Sequence, residues 1–233
     1  MAFSEKTLDF LFENRVTDSK AWFEAHRGDY ETLVLTPMRE LVRGLTVPML
    51  EIDPLICCEP KVGKCISRIF RDTRFSRDKH VFRDVMWVSF FRHRQLYYGM
   101  PGFFFELSPR GLVWGCGYYQ ASPEAMEEIR KMVLAQDADF RKAAALFEKR
   151  TDFILEDSRY RRTKYPDAPE ALRRWLDLKN VCLLKRSEDF ALLTSEALPD
   201  TLGEDFRAMK PLYDFLIKAE CRTPKRDAGV LGR

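Results

Sequence analysis

Gly102-Phe103-Phe104-Phe105-Glu106-Leu107, then Ser108-Pro109-Arg110-Gly111, then Leu112-Val113-Trp114-Gly115-Cys116-Gly117-Tyr118-Tyr119, is the stretch whose reading decides the fold. Two runs rich in aromatic and β-forming residues flank four residues of turn chemistry. That order predicts an antiparallel hairpin. The two glycines of the second run point to a bulge or to a close backbone approach. Upstream, Trp87-Val88-Ser89-Phe90-Phe91-Arg92 is another β-rich run, and Ile66, Ile69 and Phe70 give residues 66–71 strand-like content. Downstream, residues 180–184 read as a last strand. The expectation is an antiparallel sheet built from segments near 66–71, 87–92, 102–107 and 112–119.

Helical patterns lie on both sides of these strands. Ser4 reads as an N-cap, with Leu8, Leu11 and Phe12 as the stripe behind it. Asp18 reads as the cap of a second helix carrying Trp22, Phe23, His26, Tyr30, Leu33 and Val34 on one face. Pro37 kinks that rod or opens a new helix, because Met38, Leu41, Val42 and Leu45 continue the spacing. Pro48, Pro54 and Pro60 mark a loop. Ser122-Pro123-Glu124 opens a helix cleanly, Asp137 or Asp139 opens the next, and a short one lies around residues 171–175. Leu202, Phe206, Met209, Leu212, Tyr213 and Leu216 form a closing amphipathic helix, kinked near Pro211. Helices, then strands, then helices predict an α+β fold, a central antiparallel sheet with helices packed before and after it. One domain over residues 1–221 is expected, followed by a loose basic tail over 222–233.

Composition bounds the function classes. The chain has 233 residues, 45% hydrophobic and 13% aromatic, enough for a sizeable core. Its apolar runs are far too short to cross a bilayer, and its first residues lack a basic region followed by an apolar stretch. A cytoplasmic protein with no membrane partner is expected. The six cysteines show no paired-ligand spacing and the three histidines are scattered. Reduced thiols, no disulfide, no metal site and no cofactor are expected. No phosphate-cradling loop, dinucleotide fingerprint, metalloprotease helix or nucleophile elbow is present. Of the histidines, His26 lies on an apolar helix face, His93 sits between two arginines, and only His80 adjoins the basic segment described next. Tyr97, Tyr98, Phe103, Phe105, Tyr118 and Tyr119 offer rings on which bases stack. A near-neutral chain without the RNA-recognition pattern argues against nucleic acid.

Charge points elsewhere. Residues 61–83 hold eight Lys or Arg against two Asp, a net +6 within a chain of +3. A concentrated basic segment suggests an anionic partner. Arg68, Arg71, Arg74, Arg77 and Lys79 are the candidate anion ligands, because guanidinium forks grip phosphate or carboxylate oxygens and lysine adds a point charge. Asp72 and Asp78 orient those forks and are the nearest candidates for a general base. Thr73 and Ser76 add hydroxyl donors. The bland rival is an Arg/Asp network that staples the loop to the sheet.

Asp18-x-x-x-Trp22-Phe23, Tyr30, Pro37, the string Arg68-Ile69-Phe70-Arg71-Asp72-Thr73-Arg74-Phe75-Ser76-Arg77-Asp78-Lys79, and Gly115-x-Gly117 before a helix with Ile129-Arg130 together resemble the bacterial family called domain of unknown function 2461. The resemblance spans residues 5 to 217. It implies a single cytoplasmic domain with the Arg/Asp string as hallmark, and carries over no catalytic residue. Members continue after Asp-Lys with a Thr-Pro-Tyr-Lys-like stretch. Here His80-Val81-Phe82-Arg83 keeps the aromatic and the cation but not the proline. Two functions compete: a small-anion binding protein, with an enzyme acting on a phosphorylated or carboxylated metabolite as its catalytic form, and a non-catalytic module that meets an acidic partner protein. Convergent polar groups in a pocket favour the first. A flat basic surface beside an apolar patch favours the second. Oligomeric state is left open.

Overall fold

The hairpin forms the middle of a five-stranded antiparallel sheet. The structure, a computed structural model, describes residues 3–74, 77–92, 99–156 and 158–223. Its strands are β1 (Met86–Phe90), β2 (Gly102–Ser108), β3 (Gly111–Gly117), β4 (Ile154–Leu155) and β5 (Cys182–Ser187), in the order β1-β2-β3-β5-β4. The strands run to Ser108 and Gly111, so only Pro109 and Arg110 remain as the turn. Ser108 Oγ accepts the Arg110 N–H at 3.2 Å, and Gly111 takes φ 138°, which favours glycine. Alternation sorts the two faces. Val88, Phe105 and Trp114 face the core, while Trp87, Glu106 and Val113 lie half-buried in register on the opposite face.

Before the sheet come α1 (Glu5–Thr17), α2 (Lys20–Ala25), α3 (Arg27–Asp29), a π-helical stretch over Tyr30–Leu35, and α4 (Thr36–Ile52). After the hairpin come α5 (Pro123–Leu134), α6 (Ala138–Lys149), α7 (Glu170–Leu176), α8 (Phe190–Thr194), α9 (Leu198–Ala208) and α10 (Lys210–Arg222). This is the α+β architecture expected. Helix α4 packs on α9, α10 packs on α5 and α6, and α4, α9 and α10 reach β1 or β3. Phe103 of the sheet meets Phe206 and Tyr213 of these helices, with ring centroids 5.3 and 5.0 Å apart. Ser122 and Asp137 cap α5 and α6 through their side chains, as their sequence context predicts.

Several expectations are corrected. Residues 66–71 are not a strand. Ile66 bridges Val88, but the Ser67 hydroxyl takes the Trp87 N–H at 3.0 Å, and the chain then leaves β1 to pair at Phe70 with Phe82. Residues 180–184 become β5, shifted to Cys182–Ser187, and it lies inside the sheet because the unanticipated β4 pairs along its outer side. Ser19, not Asp18, caps α2. Asp18 ends α1 in a left-handed conformation, and its carboxylate accepts the Val81 and Phe82 N–H groups at 2.8 and 3.0 Å. Pro37 sits in the first turn of α4. Pro48 lies inside α4 rather than in a loop, where its ring packs against Gly203 of α9. The closing helix is two helices, α9 and α10, with Pro211 in the first turn of the second. Of the predicted tail, Arg222 ends α10, and residues 224–233 lie outside the described residues, as do Ser76, His93, Tyr97 and Tyr98.

Candidate anion site

The basic segment leaves the sheet as a loop, and three elements converge on it. Arg15 comes from the last turn of α1, Arg71, Asp78, Arg83 and Asp84 come from the loop, and Arg110 comes from the β2–β3 turn. Together they line an open cleft of about 300 Å³. Four guanidinium groups therefore face two carboxylates.

Asp78 is the hub. Its Oδ2 accepts hydrogen bonds from Arg15 at 2.6 Å and from Arg71, and its Oδ1 meets the His80 backbone N–H at 3.1 Å and the His80 ring Nδ1 at 2.6 Å. The His80 contacts first, then Arg15 and Arg71, hold the Asp78 carboxyl far below the usual carboxylate range. Arg15 also donates to the Phe82 carbonyl at 3.1 Å, which ties α1 to the loop beside the Asp18 bonds. Asp84 accepts from Arg110 at 2.6 Å. Burial pushes the Asp84 pKa up, but Arg110 outweighs it and the net shift is downward.

Arg83 differs from the other three. Its guanidinium lies over the Trp87 ring, 4.8 Å from the centroid, and its Nε points at the Phe70 carbonyl at 3.4 Å. No carboxylate pairs with it among the described residues. Burial first, and the neighbouring Arg71 charge second, pull its pKa below the usual arginine value. The protonated form is therefore held at a cost that an anion would offset.

The structure brings two of the seven candidates, Arg71 and Asp78, into the cleft. Arg74 instead forms an exposed fork with Asp72, at 2.9 Å from Nε and 2.7 Å from the terminal nitrogen. That pair lowers the Asp72 pKa to about 2. Lys79 donates to the Thr73 carbonyl at 3.1 Å. Arg68 is exposed beside Gly63, and Arg77 is exposed. Arg15, Asp84 and Arg110 escaped the sequence reading because they lie outside the basic string, although an arginine in a hairpin turn next to it was a usable signal. Of the two described histidines, His26 stacks on Trp22 at 4.0 Å and bonds its carbonyl, and His80 touches the site.

Two other charge clusters lie closer to balance. Buried Asp205 accepts from Trp114 Nε1 at 2.9 Å, Arg150 at 2.9 Å and Lys185 at 3.1 Å, and Asp152 completes that network. A second open cleft of about 290 Å³ sets Arg159, Arg173 and Arg174 against Glu170 and Asp177. Cys57, Cys58 and Cys65 lie near one another as free thiols, with Cys65 Sγ 3.2 Å from the Cys57 carbonyl.

Fold and site thus define an α+β protein with an arginine-lined cleft beside its central hairpin. Residues 6–215 match the family described as conserved hypothetical protein, DUF2461, and the chain belongs to that family. No curated protein and no solved structure matches the chain. No helix among the described residues is long and apolar enough to cross a membrane.

Proposed function

We propose that the cleft binds a small anion bearing a phosphate or carboxylate group, held by Arg15, Arg71, Arg83 and Arg110. The observation that carries this reading is Arg83, a half-buried guanidinium without a carboxylate partner among the described residues, pressed against a ring and beside another arginine. Asp78 and Asp84 position Arg15, Arg71 and Arg110 from below. The Asp72–Arg74 fork, Lys79, Arg68 and Arg77 shape the outer loop and add to the local field. Asp72 and Asp78 make poor general bases, because carboxylates held so far below neutral take up protons weakly. The thiols near one another suit a reducing, cytoplasmic setting.

The test is a thermal-shift titration with inorganic phosphate and citrate against chloride at equal ionic strength. A ligand at 100 times its Kd stabilises by about 2.7 kcal/mol. For a domain of this size that is a shift of roughly 5–10 °C. Arg83→Ala should lose the response while Arg74→Ala keeps it. Phosphate and citrate acting no better than chloride would sink the reading. The rival, an acidic partner protein, draws on the exposed Arg68 and Arg77 and on Phe70 of the same segment, which is 41% exposed. It predicts no small-anion response, and loss of partner capture on Arg77→Glu.

A further inference from the structure

Glu106 is a carboxyl without a partner among the described residues, beside an arginine cleft. It sits on β2 two register pairs back from the turn, between Trp87 of β1 and Val113 of β3, on the face away from the core. It is half-buried, and no described residue gives it a hydrogen bond or an ion pair. Its surroundings overlap the cleft. Arg110 and Asp84, both cleft residues, act on its charge, as does Arg186 of β5, two strands over in the same cross-strand row, and Arg83 lies on the ring of its cross-strand neighbour Trp87. Burial raises its pKa, Arg110 and Arg186 oppose the rise, and Asp84 adds to it. A half-buried carboxyl with no donor is costly to leave unpaired.

The surrounding charges select what donor a ligand would bring. An ammonium drawn to Glu106 would meet the opposing charges of Arg110 and Arg186, and a second anionic group those of Glu106 and Asp84. A neutral hydroxyl escapes both. Resting on the anion-binding reading above, we infer that the cleft's ligand carries hydroxyl groups beside its anionic head, as a polyol or sugar phosphate does, and that Glu106 accepts a hydrogen bond from one of them. The anionic head then lies against Arg15, Arg71, Arg83 and Arg110, and the hydroxyl-bearing carbons extend along the open sheet face.

The experiment titrates the full chain with propyl phosphate and with glycerol 3-phosphate, which share a three-carbon chain and differ in hydroxyls. Glycerol 3-phosphate should bind about tenfold tighter, the order expected of a hydrogen bond to a charged acceptor. Glu106→Ala should erase that advantage and leave propyl phosphate binding equal or tighter, since a negative charge near the anion is gone, which also reports that the variant is folded. Equal affinities for the two phosphates on the wild type overturn this inference and leave the anion site standing. An advantage that survives Glu106→Ala overturns it too. Loss of propyl phosphate binding in a variant with an unchanged melting temperature makes Glu106 part of the anion's own support and likewise overturns it. Failure of both phosphates to bind the wild type removes the anion site itself, and this inference with it.

Discussion

Asp205 and Asp72 carry the same charge in opposite settings, and their surroundings decide what each is worth. Asp205 is 8% exposed and serves three donors at once: an indole, an arginine and a lysine. Removing it leaves Arg150 and Lys185 facing Asp152 alone and strands the Trp114 N–H in the core. Asp205→Ala should cost about 3–5 kcal/mol in urea unfolding, the range for breaking a buried charge network. Asp72→Ala removes an exposed fork with Arg74 and should leave the urea midpoint within error. If Asp72→Ala instead unfolds the protein as readily as Asp205→Ala, the basic loop is a structural staple. Asn14 poses a different case. It is fully buried on α1, next to Arg15, and neither its amide oxygen nor its nitrogen has a partner among the described residues. Leucine has a similar branched shape and no polar atom, so Asn14→Leu should stabilise by about 1 kcal/mol. A fall in the urea midpoint would mean the amide is satisfied by ordered water.

Elements show where local sequence suffices and where it does not. The hairpin was legible because turn chemistry and flanking aromatics act within a few residues. Helix starts at Ser122 and Asp137 were legible for the same reason, since a cap needs only its own first turn. Pro48 misled because its local signal is a break, whereas packing decides its place: its ring lies against Gly203, while Pro199 of α9 lies against Gly44 of α4, each ring carbon 3.1 Å from where a glycine Cβ would stand. Two helices joined by matched proline and glycine positions override one lost backbone bond. β4 was invisible because two residues carry no period. Of the two readings of the β3 glycines, a bulge or a close backbone approach, the structure shows the close approach. A Cβ on Gly115 would stand 2.3 Å from the Leu183 carbonyl oxygen on β5. Gly115→Ala should therefore cost roughly 3 kcal/mol or more, because backbone rather than a flexible side chain must move. Gly28, in α3, has nothing within 4 Å of that position, and Gly28→Ala should gain up to about 1 kcal/mol. Parallel denaturation of both variants checks the contrast.

At the scale of the molecule, the cleft is made from α1, the loop and the hairpin turn, so it was only half legible. The string around Arg71 announced itself by charge density. Nothing in the chain tells that Arg15 folds onto Asp78 across 63 positions, since that depends on how α1 docks. The same long-range logic governs the pH limits of the fold. Asp53, at the end of α4, accepts from Tyr213 of α10 and from Arg92, both at 2.6 Å. Burial pushes the Asp53 pKa up, but the Tyr213, Leu55 and Arg92 bonds outweigh it, and the net shift is downward. Burial first, and Asp53 second, push the Tyr213 phenol well above its ordinary value. The signs are opposite in consequence. A depressed carboxyl contributes stability that is complete above the unfolded pKa, about 4, and is lost as pH falls through the lower folded value. A raised phenol contributes stability that is complete below about 10 and is lost as pH rises towards the higher folded value. Melting temperature should therefore hold a plateau between those limits and fall on both sides. Asp53→Asn should lower the plateau and flatten the acid limb, because the titrating group that the fold favours is gone. Tyr213→Phe should flatten the alkaline limb and leave much of the acid limb, since Arg92 and the Leu55 N–H still hold Asp53 ionised. Calorimetric scans from pH 3 to 11 on the three proteins decide this. Acid and alkaline limbs that keep the wild-type slope in both variants would show that other groups set the limits.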